Sequence, residues 1–165
     1  AHKFIYFEYY GLDTVNIPEV PEEIFMGRLI SKGSRDMINS ISLKTRKFIG
    51  NTSMSPEISI LMANQGLCDK NHLVFDCFCG TGSMLIAAGL FGSYVLGSDI
   101  DFLMLHARTK PSRISQKVRA KDESVKANME QYNLSQFYLD VFVGDFATCP
   151  LIDSLKFDSI ICDRK

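Results

Sequence analysis

The residues best suited to chemistry lie in one run, Asp76-Cys77-Phe78-Cys79-Gly80-Thr81-Gly82-Ser83. A carboxylate stands just ahead of a Gly-Thr-Gly turn. Glycines let a backbone approach a ligand with no Cβ in the way. A carboxylate at that point repels a pyrophosphate and welcomes a cation. A dinucleotide turn, Gly-x-Gly-x-x-Gly, would need a third glycine where the chain has Leu85. NAD or FAD is therefore a weak reading, and the ammonium and sulfonium of S-adenosylmethionine suit the acid better. Further acids follow at Asp99, Asp101 and Asp145. Asp99 is placed to accept hydrogen bonds from two ribose hydroxyls, and Asp145 suits an adenine amino group. Any one aspartate at a strand end also serves as a helix cap. Three at the ends of successive strands argue for a ligand, because open parallel sheets bind outside that edge.

The elements that must position these acids alternate. His72–Phe75 reads as a strand, Gly82–Leu90 as a helix, Tyr94–Ser98 as a second strand, and a short helix runs from Asp101 and ends by Pro111. Val125, Met129 and Tyr132 mark a further amphipathic helix. Leu139–Val143 and Phe157–Cys162 complete the strands, the last ending at Asp163. Alternation of this kind predicts an α/β fold with a parallel sheet and right-handed crossovers, here a Rossmann-like sheet incomplete at its C-terminal side. Ahead of it, Ser55-Pro56-Glu57 starts a helix in which Ile58, Leu61, Met62 and Gln65 share a face and Gly66 terminates. Residues 1–50 read as a lead-in segment and 51–165 as the core. The lead-in holds aromatic strand-like Lys3–Tyr10, a proline-bearing loop over Asn16–Glu23, a strand over Phe25–Ile30, and a polar stretch of helical character from Gly33-Ser34.

Composition bounds the rest. The chain has 165 residues, enough for one core, and 46% apolar with 22% charged residues excludes disorder. No apolar stretch approaches the ~20 residues of a membrane span. Ala1-His2-Lys3-Phe4 does not read as a signal peptide. Five cysteines, none in a CxxC pair, point to reduced thiols in a cytosolic or nuclear protein, with cytoplasmic placement expected. His2, His72 and His106 are scattered, so no metal site is expected in this chain. The net charge is −1, yet Arg108, Lys110, Arg113, Lys117, Arg119 and Lys121 share an acid-free stretch. That stretch reads as a phosphate-contacting segment or as a solvated loop.

Several blocks together resemble a known family. They are Ile49-Gly50-Asn51-Thr52-Ser53-Met54, Asp76-x-Phe-x-Gly-Thr-Gly, Gly97-Ser98-Asp99-Ile100-Asp101, Ala127-Asn128 and Gly144-Asp145, with the lead-in His2-Lys3-Phe4 and Tyr10-Gly11-Leu12-Asp13. Over nearly its whole length the chain resembles the catalytic subunit of eukaryotic tRNA guanosine-10 N2-methyltransferases, the tRNA methyltransferase 11 family. The Gly-Asn-Thr-Ser-Met block is the specific part.

The resemblance implies a class I S-adenosylmethionine-dependent methyltransferase fold and a preceding THUMP-type RNA-binding region, which nothing before Ala1 supplies. It implies that Thr52 and Ser53 contact the methionine end of the cofactor. Asp76, Gly80 and Gly82 would line its amino-acid part, with Phe78 and Thr81 as further cofactor contacts. Asp99 would hold the ribose, Asp145 with Phe146 the adenine, and Ile100 would be a further cofactor contact. Asp163 occupies the first position of a catalytic Asp-Pro-Pro-Tyr motif. Arg164 and Lys165 replace the prolines, so residues are expected to be missing after Asp163, or the chain to be cut there. The implied partners are tRNA and a small zinc-binding activator subunit that adds a strand beside Val141, Phe142 and Val143. The other reading of that edge is cover by helices of the same chain. An amino-methyltransferase for DNA adenine or another RNA, and a non-catalytic cofactor-binding scaffold, are the remaining functional readings.

Overall fold

The computed structural model describes residues 2–148, 150–152 and 154–163. The departure at Arg164 and Lys165, and the cysteine at 149, lie outside the described residues. The chain forms two compact units, Ala1–Arg35 and Asp36–Lys165.

The first unit is a hairpin. Strands β1 (Phe4–Tyr9) and β2 (Glu23–Arg28) pair antiparallel, Phe4 opposite Arg28 and Tyr9 opposite Glu23. The connection is shaped by Asp13, whose carboxylate accepts the amides of Val15 and Asn16 at 2.9 and 3.1 Å. Phe4, Tyr6, Phe7, Phe25 and Met26 are exposed, as a two-stranded ribbon has no interior of its own.

The second unit begins at Asp36, so residues 36–50 belong to the core rather than to the lead-in. Ile41, Arg46 and Phe48 are fully buried there. Helix α1 (Arg35–Ser40) starts at the boundary. Helix α2 (Pro56–Gln65) is capped by Ser55, whose hydroxyl accepts the Ile58 amide. Its inward face differs from the sequence expectation. Pro56, Ser59, Ile60 and Ala63 are buried, whereas Ile58 and Leu61 face outward. Small residues at Ser59 and Ala63 let α2 lie close against its neighbour, and that close approach outweighs the larger apolar side chains. Gly66 caps the end with φ −73°, and Leu67 takes the left-handed turn at φ 54°.

Strand β3 (Leu73–Asp76) leads through the glycine turn into α3 (Ser83–Leu90). Residues 83–89 of α3 are all buried. A helix apolar on every side has to be a core helix, and this one sits against α2, β3 and β4 (Tyr94–Asp99). The tight helix–sheet packing that a third turn glycine would allow is supplied from the strand instead. A Cβ on Gly97 would meet the Leu85 side chain at 2.9 Å and Cys79 Cβ at 3.0 Å. Next come α4 (Phe102–Leu105), α5 (Val125–Gln131), β5 (Tyr138–Val143) and β6 (Ser159–Ile160).

The sheet is parallel with order β5-β4-β3-β6, a Rossmann-like arrangement. From β3 the chain moves outward through β4 to β5, then returns to the other side of β3 as β6. The order therefore reverses at β3, and the crevice beyond its carboxyl end is where such sheets bind ligands. Strand β6 is shorter than expected. Its pairing continues at both ends, Asp158 and Ile161 donating to the carbonyls of Leu73 and Phe75.

Segment 41–54 has little regular structure, so its backbone groups find side-chain partners. Asn128, fully buried on α5, accepts the Phe48 amide and donates to the Phe48 carbonyl, each at 2.8 Å, and donates to the Thr81 carbonyl at 3.1 Å. Gln131 accepts the Lys47 amide and donates to the Thr45 carbonyl. One helix thereby ties this strap to the glycine turn.

Candidate active site

A cavity of about 520 Å³ opens at the carboxyl end of the sheet, within the size range of small-molecule sites. From the sequence-predicted set, Thr52, Asp76, Phe78, Gly80 and Thr81 line one side. Asp99, Ile100, Asp145 and Phe146 line another, and Asp163 reaches it from beyond β6. Ser53 and Gly82 do not line it. The Ser53 hydroxyl accepts the Gly50 amide at 2.8 Å and shares a hydrogen bond with Thr81 Oγ1 at 2.6 Å, holding the loop behind the wall. Gly82 has φ +81°, and a Cβ there would strike Val125 at 2.7 Å, so its work is to turn the chain against α5. Met54, Cys77, Ser83, Met84 and Met104 line the cavity as well. Nothing in their residue types marked them out, although Met54, Cys77 and Ser83 stand inside the quoted blocks.

Four of the acids are placed by backbone hydrogen bonds. Asp76, the last residue of β3, accepts the Phe78 amide at 3.0 Å. Asp99, the last of β4, accepts the Gly80 amide at 2.8 Å with one oxygen and the Asp101 amide at 2.9 Å with the other. Asp101 caps α4 through the Met104 amide, and Asp145 accepts the Ala147 amide. Phe78 and Phe146 stand with ring centroids 6.0 Å apart.

The charge balance is one-sided. The described residues lining the cavity include Asp76, Asp99, Asp101, Asp145 and Asp163 but no lysine, arginine or histidine. Burial, with the Asp99 and Asp163 charges adding to it, pushes the Asp76 carboxyl up to about 7. A cation placed among these groups relieves both effects. This donor set fits a cofactor with a sulfonium and an ammonium. Burial also raises the Cys77 thiol to about 12 and the Cys79 thiol well above its ordinary value, so both pack as small apolar groups. Among the described residues, no three His, Cys, Asp or Glu side chains gather as a metal site.

The basic stretch divides. Arg108, Lys110 and Lys117 are exposed. Arg113 and Arg119, expected to face phosphate, turn inward. Arg113 donates to the carbonyls of Lys47, Leu43 and Arg46. Arg119 donates to the carbonyls of Ile49, Thr109 and Lys110, pairs with Glu123 at 2.5 Å, and lies over the Phe48 ring. The strap's unpaired carbonyls are what draw these arginines in, and no local pattern in the sequence reports them.

Strand β5 is an edge of the described sheet. Leu139 and Val143 are exposed on it, whereas Phe142 is half-buried with its ring 6.4 Å from and nearly parallel to that of Phe75. No helix among the described residues is long and apolar enough to cross a membrane.

A family profile described as "RMKL-like, methyltransferase domain" matches residues 44–164. A tRNA (guanine(10)-N(2))-methyltransferase TRMT11 of Bos taurus is 49% identical over 98% of this chain and 35% of its own length. The tRNA (guanine(10)-N(2))-methyltransferase of Schizosaccharomyces pombe is 39% identical over 86% of this chain and 28% of its own. The chain thus spans about a third of the length of the curated relatives it matches. A crystal structure of an S-adenosylmethionine-dependent O-methyltransferase from Thermotoga maritima shares the fold. It has a TM-score of 0.52 at 15% identity, over 84% of this chain and 43% of that one.

Proposed function

The chain belongs to the RMKL-like methyltransferase-domain family, and on that premise we propose that it is the methyltransferase portion of an enzyme acting on N2 of guanosine-10 in tRNA. The observation that carries this reading is the cavity at the sheet's reversal point, walled by carboxylates and free of lysine and arginine among its described lining. S-Adenosylmethionine, when bound, supplies an electrophilic methyl group on a sulfonium. Asp76 would face the cationic amino-acid arm. Asp99 would accept from the ribose hydroxyls, its oxygens already oriented by the Gly80 and Asp101 amides. Ile100 and Phe146 would flank the adenine, with Asp145 beside its amino group.

Asp163 is the catalytic residue of this reading. The guanine amine is a poor nucleophile because its lone pair is delocalised into the ring. A carboxylate that accepts one of its hydrogens, with a backbone carbonyl taking the other, turns the lone pair toward the methyl carbon. On methylation the nitrogen would give up one hydrogen, and the Asp163 carboxylate would accept that proton. The rest is positioning and electrostatics. A base inside a helix must first be exposed, and the exposed Arg108, Lys110 and Lys117 are the phosphate contacts of this reading. A small zinc-binding companion subunit would extend the sheet beyond β5. Leu139→Lys tests that contact better than a change at the packed Phe142.

The test is methyl transfer from labelled S-adenosylmethionine to unmodified tRNA by the full-length protein, with the companion subunit added. The expected product is N2-methylguanosine at position 10, lost when that guanosine is replaced by adenosine. Methyl on another nucleotide, or cofactor binding with no transfer, would overturn the assignment.

A further inference from the structure

Arg46 is an unusual residue for its position. It is fully buried, and among the described residues no carboxylate lies within ion-pair distance of it. Its guanidinium donates to the Ser83 hydroxyl at 2.7 Å and to the Ile41 carbonyl at 3.0 Å, and sits 5.9 Å from the centre of the Tyr132 ring. Its Nε has no partner among the described residues. A buried cation without a counter-charge is costly, so the fold must gain something by keeping it.

What it touches is a cavity wall. Ser83 lines the cavity and is the first residue of α3. Because Arg46 donates to the Ser83 oxygen, the hydroxyl proton is free to point elsewhere. The acceptor it has is the Met54 carbonyl at 3.4 Å, near the limit of a hydrogen bond. A hydroxyl whose oxygen is drawn on by a guanidinium is a stronger donor. It stands at the end of a helix whose dipole favours negative charge. Among the described residues the lining offers an anion no cation, since every charged side chain described in it is an aspartate.

We propose that Arg46, acting through Ser83, recognises the carboxylate of the methyl donor's amino-acid arm, forming an anion subsite on the floor of an otherwise acidic cavity. Ser83 is the binding group and Arg46 a positioning residue. The inference rests on the assignment of S-adenosylmethionine to this cavity.

The probe is the donor with only its carboxylate removed, decarboxylated S-adenosylmethionine. That analogue carries more positive charge, so the aspartates alone would make it the tighter ligand. The full-length protein should instead prefer S-adenosylmethionine by about tenfold or more, the worth of one charge-assisted hydrogen bond. Ser83→Ala and the charge-conserving Arg46→Lys should each lose most of that preference. Their affinity for 5′-methylthioadenosine, which lacks the amino-acid arm, should hold within about twofold. Equal or tighter binding of the decarboxylated donor by the unaltered protein would overturn the proposal without any variant being made. So would a preference that survives both substitutions, or equal weakening of all three ligands, which marks a merely structural role. If 5′-methylthioadenosine and S-adenosylmethionine both fail to bind the unaltered protein, the cofactor assignment itself falls, and the subsite with it.

Discussion

Two regions of the core unit hold charge in opposite ways. At the carboxyl end of the sheet, Asp76, Asp99, Asp145 and Asp163 face one cavity with no basic side chain in its described lining. Against the strap, Arg113 and Arg119 of the basic stretch are turned inward, satisfied by backbone carbonyls and, for Arg119, by Glu123. The first arrangement leaves like charges crowded together, which destabilises the empty fold and stores affinity for a cation. The second answers each guanidinium with hydrogen-bond acceptors, and Arg119 with a carboxylate as well, and contributes to stability. Like charges crowded together mark the ligand site, and charges answered by hydrogen-bond partners mark the frame.

The contrast predicts two kinds of loss. Asp163→Ala should lower turnover by about a thousandfold, within the usual span for a proton-handling group, while S-adenosylmethionine affinity stays within about threefold. Equal turnover would put the chemistry elsewhere. Glu123→Ala should do the reverse. Removing one member of a buried pair costs about 3 kcal/mol, a fall in Tm of roughly 10 °C, read by calorimetry. Cofactor affinity below the transition should be unchanged.

Asp76 sharpens the comparison through pH. Its carboxyl, pushed up to about 7 by burial first and by Asp99 and Asp163 next, stabilises the empty fold as the neutral acid. That contribution is fully present below the ordinary value of 3.8 and is lost as pH rises through about 7. Donor affinity should move the other way, rising as pH passes 7 and the carboxylate forms. Asp76→Asn should flatten both profiles, raising Tm at pH 8 and weakening S-adenosylmethionine there by about tenfold. Unchanged profiles would mean that Asp76 does not titrate in this range.

The smallest effect belongs to the exposed part of the basic stretch. Lys117→Ala should weaken tRNA binding modestly and reduce the slope of log affinity against log salt by about 1. A change at Arg119 should instead appear as lost stability. If Lys117→Ala left the salt slope untouched and Arg119→Ala changed it without unfolding, the division drawn here would be reversed.

How much of this was legible in the sequence follows from how local each signal is. The strand ends, the glycine turn and the acids beyond them are short-range patterns, and Asp76, Asp99, Asp145 and Asp163 meet at one cavity as their places at strand ends require. The inward face of α2 was not legible, because close helix packing at Ser59 and Ala63 outweighed the larger Ile58 and Leu61. Ser53 and Gly82 read as cofactor contacts, yet neither lines the cavity: Ser53 holds the loop behind its wall, and Gly82 turns the chain against α5. The roles of Arg46, Arg113 and Arg119 rest on contacts far apart in the chain, with carbonyls of an irregular strap and with Ser83. In the sequence they look like their exposed neighbours Lys44, Lys110 and Lys117. The residues 36–50 read as lead-in for the same reason, since their burial depends on α5 through Asn128 and Gln131.

The central claim is that acids at neighbouring strand ends hold a cationic, adenosine-bearing methyl donor. Calorimetric titration of S-adenosylmethionine into the full-length protein with its companion subunit, beside the Asp99→Ala variant, tests it most directly. The account predicts one donor bound per chain and at least tenfold weaker binding in the variant. No binding to the unaltered protein, or equal binding by both, would contradict it.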